Sequence, residues 1–165
     1  MGGVRGIRQP QPPIWKGVTG VPMLDRLSAV LSEVFVVAED DEALTVSGDG
    51  IVASVRVVTI ADGLEMVSLT QPLAWDLPLT NKLRERVAEH ASKTMLGTIA
   101  LVEKLVDSPT NGSSTKTASR RSPAKKVADV MLRYNFPASG LTDDALRTLI
   151  LLVLSTGADV RSSFL

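Results

Sequence analysis

From Met23 onward, apolar residues recur at three- and four-residue spacing. Met23, Leu24, Leu27, Val30, Leu31, Val34 and Phe35 form one stripe, opposed by Asp25, Arg26, Ser32 and Glu33. That spacing predicts an amphipathic helix, and Pro22 stands where a helix can begin. The period then changes. Leu44 and Val46 alternate with polar neighbours, Ile51 to Ile60 is rich in β-branched residues, and Leu64 to Thr70 alternates loosely. These read as three strands. The acidic run Glu39-Asp40-Asp41-Glu42 is read as a turn before them. Ser47-Gly48-Asp49-Gly50 and Ala61-Asp62-Gly63 are short turn signals between them, which implies antiparallel hairpins.

An extended Pro72 to Pro78 segment follows, closed by Leu77-Pro78 because the residue before proline disfavours helix. Thr80 can cap a second helix with Leu83, Val87, Ala91 and Thr94-Met95 on its buried side. Gly97 suits the turn out of that helix. Ile99 to Val106 and Val127 to Phe136 read as two more strands. Thr142 caps a final helix, Asp143 and Asp144 sit at its positive end, and Leu141 can staple to Leu146. From Leu149 to Leu154 this helix is apolar on every side, which implies burial all round or a subunit interface. Gly157 is read as its stop.

Two segments break the pattern. Residues 1–21 combine Gly, Arg, Gln and Pro with little periodicity and read as a flexible tail, in which Trp15 is a candidate docking residue. Residues 107–125 are rich in Ser, Thr, Lys and Arg and hold almost nothing that can bury apolar surface, so they read as a disordered hairpin loop. The remainder, 22–165, is of a length for one domain.

Composition narrows the chemistry. Aromatics are only 4% of the chain, so the core must be aliphatic. The formal net charge of zero leaves no global field to draw nucleic acid or an anionic membrane. Absence of cysteine removes disulfides, thiolate metal sites and cysteine nucleophiles. No signal-peptide pattern opens the sequence, no apolar run is long enough to cross a bilayer, and the expected location is cytoplasmic.

His90 is the single histidine and lacks the clustered partners a metal site needs. The run Glu39 to Glu42 lacks the spacing and glycine of a calcium loop. Gly48-Asp49-Gly50 joins strands rather than opening a helix, so it is no phosphate cradle. Hence no catalytic residue, cofactor or metal is expected. Lys116, Arg120, Arg121, Lys125 and Lys126 make the long loop a candidate electrostatic contact, but it lacks interleaved aromatics for stacking on bases, so nucleic acid is disfavoured.

Four landmarks in order carry a resemblance. They are Pro-Leu-Ala-x-x-Leu-Pro at 72–78, Gly97-Thr98-Ile99-Ala100-Leu101, Val130-x-Leu-x-Tyr, and Gly140-Leu141-Thr142-Asp143-Asp144-Ala145-Leu146. The chain resembles the type III secretion chaperone-like superfamily, with its CesT-type effector chaperones and YbjN-like proteins, over roughly residues 23–160. The tail and the 107–125 loop depart from that pattern. The resemblance implies an α+β fold (helix, three antiparallel strands, helix, two strands, helix). It also implies a non-enzymatic binder of peptides or proteins, often a homodimer.

The residues themselves add a location. Ile51, Ala53, Val55 and Val57 fall on one face of their strand, and Val52, Val58 and Ile60 on the other. A strand apolar on both faces wants cover on both. The candidate peptide-binding set is therefore Leu27 and Leu31 of the first helix with Val52, Val58 and Ile60. The alternative is a regulatory protein that contacts nucleic acid or an acidic partner through residues 116–126.

Overall fold

A computed structural model describes residues 20–106 and 125–165. The expected tail (apart from Gly20 and Val21) and the long loop (apart from Lys125) lie outside the described residues. Helix α1 (Met23–Ser32) leads into β1 (Val36–Glu39), β2 (Ala43–Gly48), β3 (Ile51–Ala61) and β4 (Leu64–Pro78). Helix α2 (Asn81–Lys93), β5 (Thr98–Val106), β6 (Lys125–Pro137) and α3 (Asp143–Ser162) complete the order. The strands form one antiparallel sheet in the order β1-β2-β3-β4-β6-β5. Among the described residues the mixed α+β class with three helices stands, with four strands before α2 where three were expected.

The extra strand is β1. The chain leaves the helix after Ser32, Val34 is exposed, and Phe35 swings onto the backbone of Gly48. Val34 and Phe35 fall at helical spacing from Val30 and Leu31, so they extend the stripe on paper. Four residues of strand are too few to show their own period. Of the acidic run, Glu39 ends β1, and the Asp40 carboxylate holds the turn by accepting the Glu42 and Ala43 amides at 3.1 and 2.9 Å.

Turn chemistry sets the β2–β3 register. Asp49 and Gly50 have φ of 49° and 75°, the paired left-handed geometry of a tight hairpin turn, and Gly48 faces Ile51 across it. Both expected helix caps are present. Thr80 accepts the Leu83 amide at 3.1 Å, and Thr142 accepts the Ala145 amide at 3.2 Å.

All three helices pack on one sheet face. Inward strand positions Val46, Val55, Leu69 and Leu132 meet Leu27 and Leu31 of α1, Leu83 and Val87 of α2, and Leu146, Ile150 and Leu154 of α3 in a single core. That core is mainly aliphatic, as composition required, with Phe136 buried among the aliphatic side chains. Arg26 ties the start of α3 to α1 through Asp143 at 2.7 Å and the Leu141 carbonyl at 2.8 Å. Gly157 does not end α3. The helix continues to Ser162, and Gly157 is buried where a Cβ would collide with the Gln71 amide. Among the described residues, no helix is long and apolar enough to cross a membrane.

Candidate functional site

With the helices on one side, no helix among the described residues covers the other sheet face. Val52, Val58 and Ile60 point outward there and are 53%, 43% and 60% exposed. They do not form one patch. The rows Ser54–Thr70–Arg133 and Arg56–Ser68–Asn135 cross the face between them. Val58 pairs with Met66, and Ile60 extends that apolar end. At the other end, Val52, Pro72 and Trp75 line an open groove of about 470 Å³ that Phe164 and Leu165 also reach. Pro72 pairs with Met131, and Met131 with Ala100, which carries the apolar row to the sheet edge.

Leu27 and Leu31 are a correction. Both are completely buried between α1, α3 and the inner sheet face, so they have no surface to offer a peptide. The sequence shows that a helix has an apolar stripe but not which part of the stripe the core consumes. Met66, Pro72, Trp75 and Met131 are the outward residues that sequence reasoning missed. Met131 stands between Val130 and Leu132, so a strand apolar on both faces was readable there. Lys125 and Lys126 are exposed at the start of β6. Lys116, Arg120 and Arg121 lie outside the described residues, as does Trp15.

A polar knot fixes the Trp75 end. The ladder shifts between Ala74 and Leu77, and Asp76 adopts φ of 51° at that bulge. Its amide donates to the Asp129 carboxylate at 2.9 Å. The Lys104 ammonium bridges Asp129 and Asp76, each at 2.8 Å, and lies 5.7 Å from the Trp75 ring centre. Burial pushes the Asp129 carboxyl up. The Lys104 hydrogen bond, the Asp76 amide and the Lys104 charge outweigh it, leaving Asp129 below its ordinary value. The hydrogen bonds that Lys104 donates to Asp129 and Asp76 hold its ammonium above its own ordinary value.

His90 is half-buried on α2, and its Nε2 lies 2.8 Å from the Ser163 hydroxyl. That hydroxyl donates to the Val160 carbonyl at 2.6 Å, while the Phe164 ring lies tilted 5.4 Å from the imidazole with the Arg86 guanidinium over its face at 4.9 Å. Arg86 also donates to the Ser163 carbonyl. The group clamps the end of α3 onto α2. Among the described residues, no three His, Cys, Asp or Glu side chains are placed to hold a metal ion.

Sheet order, helix placement and the bulged β4 together invite comparison with known structures. The chain superposes on YbjN of E. coli, a proposed transcription regulator, with a TM-score of 0.53 and 14% sequence identity. The match covers 86% of this chain and 90% of that one. The fold is YbjN-like. No family model matches the sequence, and no curated protein matches it.

Proposed function

We propose that this protein is a non-enzymatic, chaperone-like module that binds a peptide or protein segment on the sheet face its helices leave open, and that it works as a cytoplasmic homodimer. The observation that supports this reading is the outward set Val52, Val58 and Ile60, with Met66 beside Val58, on a face without helical cover among the described residues. Apolar side chains clustered on an open face gain by removal from water, at about 25 cal/mol per Å² before binding costs. The polar rows between the two apolar ends would fix orientation rather than supply affinity.

The test is capture by the full chain against Val58→Glu/Ile60→Glu, at high salt to suppress charge-driven binding. Both side chains are exposed, so the double variant should keep its circular dichroism spectrum while losing the captured partner. Equal capture by both forms would remove this face as the binding site.

A further inference from the structure

One corner of the molecule combines three features that together select a ligand. An open groove of about 520 Å³ runs between the start of α1 and the end of β3. Met23, Leu24, Val57 and Val58 give it an apolar lining, and Asp41, Glu42 and Glu65 put three carboxylates on it against one cation, Arg56. Among the described residues, none of these three acids makes an ion pair. The third feature is backbone. β3 runs on to Ala61, but β2 begins at Ala43, opposite Arg56. Beyond Arg56 the side of β3 turned away from β4 has no strand partner among the described residues. It is a free edge suited to an added strand.

A ligand for this corner should be extended, cationic and partly apolar. The chain carries such a segment next to it. Residues 1–19 include Arg5, Arg8 and Lys16 with no acidic residue, and Ile14, Trp15 and Val18 supply apolar groups. Pro22, a few residues on, itself lines the groove. Lys16 lies within roughly 20 Å of Pro22 even along extended chain. Pro10, Pro12 and Pro13 lack the amide a ladder needs, which leaves the stretch 14–19 as the part able to pair.

We propose that residues 14–19 seat in this groove in cis, as a strand added to the free edge of β3, with Lys16 facing Asp41, Glu42 and Glu65. The short tether supplies an effective concentration on the order of millimolar, so modest contacts suffice. Seated there, the segment covers Val58. The seat does not depend on the docking reading above, and its test needs no partner.

The chain has no cysteine, so Gln11→Cys gives a single site for a nitroxide on the full-length protein. Amide signals of Asp41, Glu42, Val57 to Ala61 and Glu65 should lose most of their intensity in the labelled chain. They should recover in Asp41→Lys/Glu42→Lys, which changes two exposed residues. Spin-labelled chain mixed with isotope-labelled chain lacking the nitroxide should leave those signals sharp. Broadening in the mixture would mean that a second copy supplies the segment, and would overturn the cis seat. Broadening elsewhere, evenly spread broadening, or groove broadening that survives the double lysine variant would overturn it as well.

Discussion

Gly157 sits mid-helix in α3, where glycine costs about 1 kcal/mol against alanine. It is there because Gln71 of β4 is completely enclosed beneath it. The Gln71 amide donates to the Leu154 carbonyl at 3.4 Å, and its Oε1 has no partner among the described residues. Gly157→Ala should cost about 1–3 kcal/mol by overpacking, read as a lower urea midpoint at unchanged slope. Gln71→Ala in the same chain should recover part of the loss, because the two side chains compete for one space. Asp129 gives a second expectation at this scale. Its folded pKa is depressed, so its contribution is present above the ordinary carboxylate pKa and is lost as pH falls through the folded value. Asp129→Asn should therefore be less stable than the parent near neutral pH, with the gap closing at acid pH in thermal melts. The raised Lys104 pKa has the opposite sense, its stabilisation fading only as pH climbs past that value. Neither site was legible in the sequence. Gly157 looks like a stop signal and Asp129 like a polar break in a strand, because their partners are distant in the chain.

Local chemistry was the readable part of each element. Thr80 and Thr142 were identifiable as caps because a cap depends on the next three residues alone. Thr142→Ala should cost about 1 kcal/mol, measured by chemical denaturation. Boundaries that depend on tertiary contacts were not readable. β1 was missed because Val34 and Phe35 carry the helical spacing right up to it and Glu39 reads as part of a turn, while in the fold Phe35 packs on Gly48. β4 runs unbroken from Leu64 through Pro72 to Pro78, because register shifts flanking Ala74 let it absorb two prolines.

For the molecule as a whole, the alternation of β3 was enough to put Val52, Val58 and Ile60 on one face. It could not show that all three helices would choose the other. That choice follows from the connections. α1 and α3 are held together by Arg26 and Asp143, and α2 by the Arg86–Phe164–His90 clamp at the end of α3. If two copies pair through the open face, sedimentation should show a dimer that Val58→Glu/Ile60→Glu converts to monomer. A dimer that survives that change would have to use another surface, such as the exposed side of Leu152 on α3.

The β5–β6 ladder is closed by its own pairing as far as Val106 opposite Lys125. Whatever joins those two residues closes a hairpin whose strands are already zipped. Closure entropy grows only with the logarithm of length, by about 0.6 kcal/mol per doubling. This junction is a natural splice port. An affinity tag, a fluorescent reporter or a whole foreign domain with neighbouring termini could be grafted between Val106 and Lys125, with the sheet carrying it as cargo.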